Sequence, residues 1–145
     1  IIINDFFTKS VAQSVLKNHR KIDVITFTNV FAHIEDLPSL LSALEILIND
    51  ETVIVIENHY LGAVLEKNQF DTFYHEHPRT YSLKSFINIA NTIDCNIMDL
   101  HFPKRYGGNI RVILGRNKTR AKEVKTLINR TLISEEQFYD EFIKR

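Results

Sequence analysis

Apolar and polar positions along this chain follow two periods, and the switches between them mark out its elements. Residues 1–4 (IIIN) open as a continuous β-branched run, the pattern of a buried strand. Residues 8–19 carry Val11, Val15 and Leu16 at helical spacing, and residues 23–28 (DVITFT) read as a second apolar strand. Asp36 and Pro38 then open a helix in which Leu37, Leu40, Leu41, Leu44, Leu47 and Ile48 fill the i, i+3, i+4, i+7 template. Residues 52–57 (TVIVIE) form a third apolar run, followed by a short helical pattern over 60–67. Ser82 caps a further helix with Leu83, Phe86, Ile89, Ala90 and Ile93 on one face.

The pattern then changes. Residues 96–102 and 109–115 are two strands joined by a loop containing Tyr106, Gly107 and Gly108, with no helix between them. The order β-α-β-α-β-α-β-β predicts an α/β fold: a mostly parallel sheet covered on both faces, ending in an antiparallel hairpin at one edge. Past Gly115 the chain turns helical and basic (Arg116, Lys118, Arg120, Lys122, Lys125), with Val124, Leu127, Ile128 and Leu132 as an apolar stripe. Such a run reads first as a solvated helix face. Ser134 and Gln137 have the spacing of a capping box.

Composition narrows the class without naming a function. A chain of 145 residues that is 44% hydrophobic can bury one real core, so a single globular domain is expected. Its formal net charge is zero, which gives no global attraction to nucleic acid or to an anionic membrane. A lone cysteine, Cys95, excludes an internal disulfide framework and suits a reducing compartment, so a cytoplasmic location is expected. The apolar runs are too short to span a bilayer. The abrupt apolar start and charged helical end read as a piece of a longer protein.

Candidate chemistry gathers where strands end. In open α/β sheets ligands bind outside the carboxyl ends of the parallel strands. Three segments stand there: residues 4–7 (NDFF), 28–33 (TNVFAH) and 57–60 (ENHY). Asp5 is either a nucleotide ligand or the cap of the next helix. Asn29 and His33 are likewise ligands or turn residues. A denser cluster, FDTFYHEHPRTYS (residues 70–82), sets Tyr74, His75, Glu76 and His77 in succession, and Pro78 stops a helix from running through it. It admits a metal site with His59, His75 and His77 as in a hydrolase, a hydrogen-bonded structural loop, or an acid/base site. Spacing leaves all three open.

DVITFTNVFAHI (residues 23–34), LEKNQFDTFYHEHPRTYSLKSF (65–86) and YGGNIRV (106–112) together resemble the S-adenosylmethionine-dependent sugar C-methyltransferases. Those enzymes place a methyl group on C-3 of nucleotide-linked 4-keto-deoxysugars. The resemblance runs over most of residues 1–115, in the family's order and spacing. It implies a partial class I methyltransferase (Rossmann-like) sheet. Residues 1–115 would form the second half of the catalytic domain, and 116–145 a helical connector toward a further C-terminal domain. It implies S-adenosylmethionine as cofactor and a nucleotide sugar as substrate, with zinc only in an N-terminal domain outside these residues and no metal ligands within them.

Residue by residue, the resemblance sets Asp5 and Phe6 against the adenine and Asn29 and Val30 beside the cofactor. His33 would face the substrate pocket. Tyr74, Glu76 and His77 match the acid/base cluster: His77 as base, Glu76 as its orienting partner, Tyr74 and His33 as oxyanion or substrate contacts. Two departures matter. Pro78-Arg79-Thr80 stands where the family more often has an apolar residue and another tyrosine, which bears on the substrate's identity. The family's glycine-rich cofactor loop has no counterpart, since the chain holds four glycines and none forms G-x-G after a strand. The strand bearing that loop would lie beside residues 23–28, so an exposed sheet edge open to self-association is expected there. The alternatives are a non-catalytic remnant or binding module of the same fold, or the metal-dependent hydrolase.

Overall fold

The computed structural model describes residues 1–73 and 75–144. Four strands, β1 (Val24–Thr28), β2 (Val53–His59), β3 (Asn96–His101) and β4 (Asn109–Gly115), make one sheet in the order β1-β2-β4-β3. β1 and β2 run parallel, with Val24 opposite Val53 and Thr28 opposite Glu57. β4 is antiparallel to both of its neighbours. The sheet is therefore mixed rather than mostly parallel. The reason lies in the connection: residues 102–108 are too few for a crossover, so β4 must return antiparallel to β3. Entering between β3 and β2, it makes both of its pairings antiparallel.

The strand expected over residues 1–4 does not form. Ile1 and Ile2 are fully exposed, and no strand of the sheet pairs with them. A β-branched run favours extended backbone, but only a neighbour's ladder makes it a strand. The expectation of two covered faces also fails. Ile25, Phe27, Ile54, Ile56, Val112 and Leu114 pack in the core, whereas Val24 is 57% exposed and Val53, Val55 and Ile113 on the opposite face are only half-buried. Apolar strands record how much surface could be buried; the helices of this chain cover one side.

Those helices are α1 (Lys9–His19), α2 (Leu37–Leu47), α3 (Leu61–Lys67), α4 (Leu83–Thr92) and α5 (Lys118–Ile143). Each long one starts where a side chain takes an orphan backbone donor. Asp36 accepts from Ser39 N at 3.0 Å, Ser82 from Ser85 N at 3.1 Å, and Asn117 from both Thr119 N and Arg120 N at 3.1 Å. Leu40, Leu41 and Leu44 of α2 and Leu83, Phe86 and Ile89 of α4 supply most of the core beneath the sheet. α1 packs on α2 through Ala12, Ala43 and Leu47.

α5 runs unbroken through Ser134, so the expected capping box is absent: the Ser134 hydroxyl donates to the Arg130 carbonyl at 3.2 Å within the helix. The next residue does the capping elsewhere. Glu135 accepts from Leu83 N at 2.6 Å and Lys84 N at 3.4 Å, placing its charge on the amino end of α4. α5 thereby docks against β3 and α3. No helix among the described residues is long and apolar enough to cross a membrane.

Three segments meet just past β2. Tyr60 N donates to Gly108 O at 3.1 Å, and Leu61 N donates to Tyr81 O at 2.9 Å, where Tyr60 and Tyr81 form an isolated parallel bridge. The Tyr60 ring, 7% exposed, folds back over Gly62. A Cβ at Gly62 would lie 2.3 Å from that ring. Glycine is normally worse than alanine inside a helix by about 1 kcal/mol. Here overpacking reverses the sign. We expect Gly62→Ala to lower stability by about 1–3 kcal/mol, read by urea denaturation; a stabilised variant would refute the close contact.

Candidate active site

The carboxyl ends of β1 and β2 and the start of β4 share one edge of the sheet, and a cavity of about 360 Å³ opens there. Asn29, Asn58, His59, Asp71, His77 and Asn109 are among its lining. Asn29 follows β1 in left-handed conformation (φ 54°), a state asparagine tolerates better than most residues, and its N–H donates to Glu57 O at 2.8 Å. That reversal starts a 3₁₀ turn, Phe31–His33, with Phe31 in the core and its carbonyl taking the Tyr81 hydroxyl at 3.2 Å. His33 is thereby presented outward at the strand end.

His33 and His77 face each other with ring centroids 4.5 Å apart and planes at 69°. His33 Nδ1 donates to the Glu76 carbonyl at 2.8 Å, which fixes the tautomer: the neutral ring keeps its lone pair on Nε2. Arg79 holds the segment in place, donating to Ile34 O at 2.7 Å and Glu35 O at 3.1 Å. Burial, then the neighbouring His33 and His59, push the His77 pKa below its ordinary 6.5. His77 is therefore neutral at pH 7, the form in which imidazole accepts a proton.

The other expected site residues divide. Asn29 lines the cavity with His77, and Val30 follows it, 43% exposed. The Glu76 carboxylate lies 3.8 Å from His75 Nε2, both exposed, while its main-chain oxygen serves His33. Asp5 accepts from Phe6 N at 2.7 Å and borders a shallow hollow along α1 rather than this cavity; Phe6 is 86% exposed. Tyr74 lies outside the described residues. The three histidines of the metal reading do not converge, since His59 Nε2 donates to Gln69 Oε1 at 3.1 Å and His75 turns to Glu76. Among the described residues no three potential ligands are grouped to hold a metal ion. A larger depression, about 580 Å³, lies at the amino end of β2, where Arg116 pairs with Asp50 and Asp94; it lacks the strand-end chemistry.

Sequence reasoning placed Glu57 in a strand-end segment but missed its role beneath the cavity. Glu57 is 2% exposed, yet it accepts from Arg105 Nε at 2.6 Å, Arg111 Nε at 2.7 Å and Asn109 Nδ2 at 2.9 Å. Arg111 stands directly opposite Glu57 in the β2–β4 register. A charge ending the run TVIVIE, matched to the arginine of NIRV, was the available signal. Arg105, then Asn109 and Arg111, outweigh the cost of burial and hold the Glu57 carboxyl at about 2. The loop above is tied down too: Lys67 Nζ and Gln69 Nε2 donate to Gly107 O at 2.5 and 3.1 Å.

The family model described as a methyltransferase domain matches residues 2–100. The chain belongs to the methyltransferase-domain family. This methyltransferase domain is also 30% identical over 106 residues to the C-methyltransferase NovU of Streptomyces niveus, covering 73% of the chain. It spans about a quarter of that relative's length, 25%. The resemblance drawn from the three sequence motifs is thus met.

Because Glu57 is depressed in the fold from 4.5 to about 2, its stabilising contribution is present above pH 4.5 and is lost as pH falls toward 2. We expect acid to remove about 3 kcal/mol across that window. Glu57→Gln should flatten this part of the profile and weaken the fold at pH 7, by urea denaturation at each pH. A wild-type profile already flat over that range would refute the role.

Proposed function

We propose that this domain serves an S-adenosylmethionine-dependent C-methyltransferase that methylates C-3 of a nucleotide-linked 4-keto-deoxysugar through an enolate. The observation that carries the reading is the His33–His77 pair on the cavity at the strand ends, with His33 tied through Nδ1 to the Glu76 carbonyl and the His77 pKa lowered. The similarity to NovU supports the C-methyl assignment. The order β2-β4-β3, with β4 antiparallel, is consistent with a class I methyltransferase sheet.

A ketone at C-4 acidifies the C-3 proton, because the charge left behind spreads onto the ketone oxygen. His77 takes that proton, its lowered pKa keeping it unprotonated. Tyr74 would serve the oxygen that gains charge, a donor so placed being worth about 3–4 kcal/mol in related chemistry, while His33, with its Nε2 lone pair free, would accept from a substrate hydroxyl. Glu76 orients His33, through its carbonyl on His33 Nδ1. The cofactor, when bound, supplies an electrophilic methyl group for the carbanion carbon. Asn29 and Val30, flanking the end of β1 at the cavity, would hold it there, whereas Asp5 borders a separate hollow along α1 and Phe6 beside it is exposed.

In the protein containing this chain, His77→Asn should leave cofactor binding intact. Methyl transfer and solvent exchange of the C-3 proton should both fall by about a hundred- to ten-thousand-fold. Exchange reports deprotonation alone, so a folded variant that still exchanges at the normal rate removes His77 from the base role. With the wild type, activity should persist as pH falls through 6.5 and drop only below it, because the neutral form is the reactive one.

A further inference from the structure

Two side-chain oxygens at the floor of the cavity have no assigned task. Asn58 and Asn109 are each 1% exposed and both line the cavity. The Oδ1 atom of each is buried without a hydrogen-bond partner among the described residues. For Asn109 the orientation is forced. Glu57 is ionised and only accepts, so the amide nitrogen of Asn109 must face it at 2.9 Å, and the oxygen must point away. Native folds pair nearly all buried polar atoms, so two orphan acceptors lining one cavity call for a donor that arrives from outside.

The charges nearby specify that donor. Glu57 is the buried acid at this floor, and its charge is already matched by Arg105 and Arg111, both of which pair with it. Asp71, the acid on the lining, is exposed. Resting on the methyltransferase reading above, we infer that Asn58 and Asn109 accept hydrogen bonds from neutral hydroxyl groups of the bound ligand and set its selectivity for hydroxylated over deoxygenated forms. The hydroxyls can come from the acceptor sugar or from the ribose of the cofactor.

Two matched pairs of probes separate the sources. One is S-adenosylhomocysteine against its 2′-deoxyribose analogue. The other is a nucleoside diphosphate-linked 4-keto-6-deoxyhexose against its 2-deoxy analogue. In calorimetric titrations of the protein containing this chain, the wild type should prefer the hydroxylated member of at least one pair by about tenfold or more. Asn58→Leu should collapse that ratio toward one for the pair whose hydroxyl it serves, and leave the other unchanged. Its melting temperature should hold or rise, because an acceptor without a partner contributes nothing to folding.

A wild type with no preference in either pair, or no binding of any probe, overturns the inference. So does Asn58→Leu with lowered stability and unchanged ratios, the result for a purely structural residue. If Asn58→Leu fails to fold, the side-chain amide resonances of Asn58 and Asn109 in the wild type decide: shifts with the hydroxylated probe alone support the assignment, and equal shifts with both overturn it. Methyl transfer measured in parallel keeps the two readings apart. Transfer with unchanged ratios removes the hydroxyl assignment only. Collapsed ratios without transfer remove the reaction and leave the assignment.

Discussion

A carboxylate buried within a sheet must be met by cations and donors, because the cost of leaving it unpaired would undo the packing around it. Glu57 is met by two arginines and an asparagine, and its partners come from different parts of the chain. Arg111 sits opposite it on β4, Asn109 begins that strand, and Arg105 belongs to the loop before it. One charge therefore fixes the register of the β2–β4 pairing, the entry of β4 and the path of the preceding loop. The edge on which the cavity opens follows from those three placements.

Above this fixed floor the reactive groups are held mainly by backbone. Tyr60 N on Gly108 O and Leu61 N on Tyr81 O bring the hairpin loop and the segment before α4 to the end of β2. Arg79 reaches back to two carbonyls of the turn after β1, and His33 returns the tie through the Glu76 carbonyl. Main-chain acceptors do not titrate, so the acceptor side of these ties does not depend on pH.

Much of the fold was legible because periodicity reports burial. α2 and α4 stood out through complete apolar stripes, and Asp36 and Ser82 cap where their residue types suggested. What failed depended on neighbours. Residues 1–4 have the composition of a strand but no partner, and the apolar strands could not reveal that one sheet face would stay half-open. Ser134 looked like a helix start because the local pattern carries no record that Glu135 is engaged 52 residues away. At the site, the histidines that face each other were visible in motifs, whereas Glu57 was hidden by ending an apolar run. Asn58 and Asn109 were hidden because an unsatisfied acceptor is a property of three-dimensional surroundings.

The contact from Glu135 to the first amides of α4 also organises how this chain opens. Leu83 N and Lys84 N lose their acceptor whenever the middle of α5 lifts away, so the last helix and the amino end of α4 should breathe as one cooperative unit rather than fray independently. That unit begins just after Tyr81, whose carbonyl and hydroxyl anchor the segment carrying His77. Backbone hydrogens at Leu83 and Lys84 are thus natural reporters, on the timescale of amide exchange, of how firmly the far end of the chain holds the segment carrying His77.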